Sequence, residues 1–248
     1  MSTQAIEAGL VTAAASEVAK HAQDFIAAAA GRPGETIGTI LAGWTQLRIK
    51  NVESIGNKAH LTLLKLDLKP KEVSFNVIQP LLESATLQGE PRLQDTWANL
   101  LANAADPRRE RPVNAIFPYI LRDLGPAEVR LLHTLYTESE RRLSGHIAFH
   151  RLSHIMYHQG DLMEMAFNLG LVTAPIHHPT FEVQQRTDYS PSQDAFFLML
   201  DLIRHHDVIR ETVLPANAIV PGFKDGERVY HFTELGSAFV LACRPPAK

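Results

Sequence analysis

Leu93-Gln94-Asp95-Thr96-Trp97-Ala98-Asn99-Leu100-Leu101-Ala102-Asn103-Ala104 decides how this chain folds. Leu93, Trp97, Leu100, Leu101 and Ala104 recur at i, i+3 and i+4, which predicts a helix with one apolar face. Pro91 suits its first turn and Asp106-Pro107 ends it, so the helix runs over about 91–105. Upstream, Pro80-Leu81-Leu82-Glu83-Ser84-Ala85 belongs to a helix that also carries Val73, Val77 and Ile78. Pro70 suits its first turn, and Pro80 inside it predicts a kink or a restart. The Trp97 face is expected to pack on Leu81 and Leu82, burying Trp97 and Leu101. Asn99 and Asn103 lie four apart on one side of the helix, although asparagine is a mediocre helix former. The pair therefore predicts partners such as loop backbone or a neighbouring helix end, which would lock the packing. A ligand or protein contact is the alternative, and it makes both residues candidate binding residues.

Working outward, residues 3–30 read as a helix whose stripe is Ile6, Leu10, Ala14, Val18, Ala22 and Ile26. Gly31 and Pro33 stop it. A second helix is expected from about Glu35 past Asn51, with Ile37, Ile40, Leu41, Trp44 and Leu47 on one side. Leu61 to Leu68 is ambiguous between strand and helix, and the tail of a long helix is the favoured reading. The charged run Arg108-Arg109-Glu110-Arg111-Pro112 is the linker candidate. Beyond it come helices at about 113–123 and 126–137, then a Pro-, His-, Thr- and Ser-rich stretch at 173–193 that reads as a loop or wing-like excursion. A helix follows at about Ser192 to His206. Val208 to Leu214 and Arg228 to Phe232 alternate as strands do, and Thr233 opens a last helix through Cys243.

The composition narrows the function classes. The 248 residues are 45% hydrophobic, enough for a substantial core, and the formal charge of -3 shows no general bias toward polyanions. The single cysteine, Cys243, sits in the apolar run Phe239-Val240-Leu241-Ala242-Cys243, which reads as buried helix filler rather than a reactive thiol. There is no basic start followed by an apolar core, and no uncharged apolar stretch approaches the roughly 20 residues of a membrane span. A cytoplasmic location is the expectation. Walker, dinucleotide and Ser-His-Asp signatures are absent from the sequence, so neither a catalytic residue nor a cofactor is assigned.

The two motif segments resemble the core of the abortive-infection alpha family, which runs roughly PLLEAAS…LQELWANLLANA. Gln88-Gly89-Glu90-Pro91 departs from it where members usually carry an acidic run. Gly34 to Asn51, and Phe117 to Leu135 with Leu121, Leu124 and Leu131-Leu132, also follow the family pattern. The resemblance covers residues 34–136 well and the remainder more loosely. It implies a role in phage defence.

The C-terminal part resembles winged-helix domains. Leu124 to Leu132 looks like a first helix, and Phe197 to Arg204 like a third helix entering a strand at Val208-Ile209. Tyr230-His231-Phe232-Thr233-Glu234-Leu235-Gly236-Ser237-Ala238-Phe239 is similar to the common ending Y-x-LT-x-LG-x-x-F. A recognition helix normally brings Arg, Lys, Asn or Gln to the duplex. Here Asp194, Asp201 and Asp207 offset Arg204 and Arg210, the two candidate phosphate contacts, so a structural or protein-binding module is favoured over a DNA reader.

His146, His150, His154 and His158 recur every four residues. On a helix, neighbouring pairs would face one way, but four-residue steps drift by about 40°, so all four cannot meet one ion. His150 and His154 are the weak candidates for metal, with Asp161 or Glu164 as outside ligands, against a reading as ordinary histidines. His205-His206-Asp207 contains a His-Asp pair of the type used by metal-dependent phosphohydrolases, but it falls at a helix end where histidine suits the dipole.

The expected fold is mainly α: a helical domain over 1–112, then a winged-helix-like α+β domain with a small β-hairpin over 113–248. The expected function is non-enzymatic phage defence through protein–protein binding, self-association through the 3–30 stripe included. Residues 3–50 lack the strongly basic polar face of a membrane-surface helix. A winged-helix transcriptional regulator is the alternative.

Overall fold

The computed structural model describes residues 20–21, 24–26, 28–29, 46–143, 152, 155–173, 191–215, 223 and 226–247. The chain is mainly helical, with one small antiparallel sheet. It divides into two compact units: Met1–Asp123 together with Ala242–Lys248, and Leu124–Leu241.

The first unit holds α1 (Gln46–Leu64), α2 (Phe75–Ala85), α3 (Pro91–Ala105) and α4 (Phe117–Asp123). Of the predicted 3–30 helix, the described residues are helical, and Phe25, Ile26 and Ala29 are buried. The remainder of that stripe, and Ile37 to Trp44, lie outside the described residues. Trp97, Leu100 and Leu101 are fully buried, as the motif requires, in a core shared with Ile55, Ala59, Leu63, Leu81 and Leu82. α3 begins as predicted: Pro91 fills the first turn, and the Glu90 carboxylate accepts from Leu93 N at 2.7 Å.

Two expectations in this unit need correction. Leu47 is 69% exposed, because the buried face of α1 is Asn51, Val52, Ile55, Gly56, Ala59 and Leu63. Pro70 does not open α2, which starts at Phe75 with Pro80 inside one continuous helix. Residues after Pro70 find backbone partners elsewhere in the unit, Lys71 N donating to Ala105 O at 2.8 Å and Val73 N to Ala29 O. Those bonds satisfy the donors that a helical turn would otherwise take up.

The ambiguous 61–68 segment is the helix tail. Leu68 N donates to Leu63 O and Asp67 N to Leu64 O, both at 3.0 Å, with Asp67 in the left-handed region at φ 55. This is a Schellman ending with aspartate where glycine is usual. Asp67→Gly is expected to raise stability by about 0.5–1 kcal/mol in urea titration, since glycine carries no Cβ penalty there.

The second unit runs α5 (Pro126–Arg142), β1 (Tyr157–His158), α6 (Gln159–Asn168), α7 (Pro191–His205), β2 (Ile209–Val213), β3 (Arg228–Phe232) and α8 (Glu234–Ala242), whose last residue is counted with the first unit. The strand order is β1-β3-β2, with Tyr157 opposite Tyr230 and Ile209 opposite Phe232. Leu135, Tyr157, Phe196, Leu200, Ile203 and Phe232 form the core. Tyr157 is fully buried, and its hydroxyl lies 2.6 Å from Ser139 Oγ. Burial pushes its pKa up to about 12. α7 also ends in a Schellman turn, with Asp207 at φ 53 and Val208 N donating to Ile203 O at 3.3 Å. Thr233 caps α8: its Oγ1 accepts from Gly236 N at 2.9 Å and donates to Asp207 O.

Candidate functional site

The motif helix turns its two asparagines toward backbone. Asn103, 4% exposed, shares its amide hydrogens among Asn99 O at 3.0 Å, Ala242 O at 3.0 Å and Arg244 O at 2.7 Å. Asn99 Nδ2 donates to Cys243 O at 3.2 Å. The end of a helix leaves its last carbonyls without intrahelical donors. At the end of α8 these two amides supply the donors, and both Asn amides are thereby committed. Cys243 is buried there, and burial drives its thiol pKa well up, so it is the inert filler its neighbours suggested.

A second polar network in the first unit escaped the sequence reading. Asn51 Nδ2 donates to Thr86 O at 2.7 Å, Gln94 Nε2 to Gln88 O at 3.0 Å, and Ser54 Oγ to Gln94 Oε1 at 3.0 Å. These bonds hold the 86–90 turn between α2 and α3. A buried Asn at a position where an apolar residue would be read was the available signal, but periodicity alone assigns it to the solvent side.

The two candidate arginines of the second unit lie at the end of α7 and on β2, and each is bound to acids. Arg204 Nη2 meets Glu211 Oε2 at 3.1 Å and its Nη1 meets Asp201 Oδ1 at 3.2 Å. Arg210 Nη2 meets Asp207 Oδ1 at 2.9 Å. Arg228 Nη1 also reaches Glu211, at 3.2 Å. The outward residues of α7 are Asp194, Ala195, Leu198 and Asp201, with Leu198 74% exposed. Asp207 of the His-Asp pair stops the helix and pairs with Arg210.

His150 and His154 lie outside the described residues. His158 does not continue a helix from them. It closes the two-residue strand β1 and precedes α6, its backbone N donating to Asp161 Oδ2 at 3.2 Å and its ring stacked on Phe223 at 4.1 Å. Among the described residues, no three His, Cys, Asp or Glu side chains gather as a metal site would need. None of the helices among the described residues is long and apolar enough to cross a membrane.

No curated protein and no solved structure matches this chain. The family model described as abortive infection alpha matches residues 46–243, well over half of the chain, from α1 through the motif helix to the last residues of α8. On that match, the chain belongs to the abortive infection alpha family.

Proposed function

We propose that the protein serves phage defence by abortive infection, acting in the cytoplasm by binding a protein partner and performing no chemistry. Membership of the family supports the defence role. In abortive infection an infected cell stops growing or dies before phage progeny emerge. The observation that carries the binding mode is the outward side of α7, where Leu198 stands exposed between Asp194 and Asp201. An exposed leucine flanked by carboxylates suits a protein surface with an apolar recess and cations around it, and opposes a phosphate backbone.

The second unit is proposed as a winged helix. The order helix, strand, helix, helix, strand, strand in α5-β1-α6-α7-β2-β3, with β3 central, supports that assignment. In such a domain α7 is the helix that would enter DNA. Arg204 and Arg210 already sit against Glu211 and Asp207, so they are proposed to shape the α7–β2 turn rather than to neutralise phosphates. Asn99 and Asn103 are likewise proposed to hold backbone rather than a ligand.

The test is plaque formation on a susceptible host carrying the gene in its native operon. Protection of at least tenfold against some phage in a broad panel is expected, and Leu198→Lys is expected to abolish it while the variant keeps its helical circular dichroism. Unchanged plating across the panel would remove the defence reading. A submicromolar, salt-sensitive gel shift of duplex DNA, lost in the double variant Arg204→Ala with Arg210→Ala, would replace protein binding with DNA reading.

A further inference from the structure

We propose that the first unit carries a phosphate-binding site where the segment after α1 meets the end of α3, built on Arg109 and Lys71, for the terminal phosphate or pyrophosphate group of a small ligand. The chain reaches this arrangement by backbone bonds. Lys71 N donates to Ala105 O at 2.8 Å, Arg109 N donates to Asp106 O at 3.2 Å, and Lys71 Nζ donates to Arg109 O at 2.7 Å. Lys69 and Arg111 flank the pair and are exposed, as are Glu72 and Glu110.

The cations here are not equivalent. Arg108 is engaged: its Nε and Nη2 grip the Asp106 carboxylate at 3.1 and 2.9 Å, and Nη2 also reaches Ala247 O at 2.7 Å. The Arg108 guanidinium holds Asp106 below the usual carboxylate range, so that anion is already matched. Arg109 is different. It is half-buried, and its guanidinium makes no hydrogen bond or ion pair among the described residues. Burial pushes its pKa down, which is the sign of a charge taken from water without a full partner. Lys71 has ammonium donors left after its one bond to Arg109 O.

Cations near helix ends have an ordinary explanation, since α1 and α3 both finish nearby and a helix C-terminus favours positive charge. That accounts for the exposed Lys65, Lys69 and Arg111. It does not account for a half-buried guanidinium with nothing to bind, because an arginine serving a dipole can keep its head in water. A guanidinium fork beside an ammonium is a donor set for phosphate oxygens. Two uncommitted cations match a dianion better than a single carboxylate. The chain's overall charge is -3, so this attraction is local and not a property of the whole surface.

Titration calorimetry of the full chain with pyrophosphate and with ATP, at constant ionic strength, tests the site. Saturable binding at one ligand per chain is expected, with Kd below about 1 mM. Arg109→Gln is expected to weaken it at least tenfold. Arg109→Lys, which keeps the charge and loses the fork, should fall between, and Arg122→Gln, which removes an exposed arginine paired with Asp123, should leave it unchanged. Equal affinity for the two ligands assigns recognition to the phosphates alone, and tighter ATP binding assigns it to a nucleotide. Heats that do not saturate, an Arg109→Gln variant that binds as well as the parent, or binding to a long nucleic acid without binding to either small ligand would overturn the proposal.

Discussion

Gly236→Ala is expected to be the most damaging one-carbon change in the second unit. A Cβ built at Gly236 falls 1.8 Å from Val208 O, 2.6 Å from Val208 C and 2.8 Å from its Cα. The obstacle is backbone, so it cannot swing away as a side chain would. Val208 is fully buried, its N–H bonded to Ile203 O and its carbonyl accepting from Thr233 N at 3.2 Å. Either α8 must lift from the α7–β2 turn or the turn must open. Alanine in a helix normally gains about 1 kcal/mol over glycine. The clash outweighs that gain, and a net loss of about 3 kcal/mol is expected, or a fall in Tm on the order of 10 °C. Gly89→Ala is the control, since nothing lies within 4 Å of a Cβ there. A Gly236→Ala protein melting at or above the parent would show that α8 does not rest on the Val208 peptide.

This glycine illustrates what a sequence can convey. The ending Thr233-Glu234-Leu235-Gly236 was legible as a pattern, and its physical content is a helix cap followed one turn later by a close approach. The motif helix was equally legible. Trp97 and Leu101 are large and apolar at helical spacing, and burial follows wherever the helix packs. The failures share a cause: the deciding partner is distant in sequence. Asn51 is buried because Thr86 O lies opposite, and nothing near residue 51 announces that. Leu47 is exposed because the α1 face is rotated by the demands of Asn51 and Gly56. β1 is two residues long, too short for a period of two to register, and it exists because β3 is there to pair with it. At the candidate site the sequence counted charges correctly but could not pair them. That Arg204 turns to Glu211 while Arg109 turns to nothing among the described residues is a property of the fold.

Asn103→Ala is expected to release the C-terminal tail and to cost about 2–3 kcal/mol. Asn103 serves three carbonyls from a nearly solvent-free position, and two of them, Ala242 O and Arg244 O, belong to the end of α8. Removing the amide leaves acceptors that lose water without gaining a donor, at about 1–3 kcal/mol for each buried group. Alanine's better helix propensity returns roughly 0.6 kcal/mol and does not change the sign. Asn99→Ala removes a single 3.2 Å bond from a more exposed position, so its effect should stay below about 1 kcal/mol. Asn103→Asp should be worse than alanine, because a carboxylate would face the same carbonyl oxygens. Cys243 reports on the tail directly. It is fully buried beside these bonds, and its thiol should react with a disulfide reagent at least tenfold faster in Asn103→Ala than in the parent, at temperatures well below either melt. A variant with unchanged Tm and a protected Cys243 would mean the tail is held by packing alone. Asn99 and Asn103 would then be free to serve as the ligand contacts that their spacing first suggested.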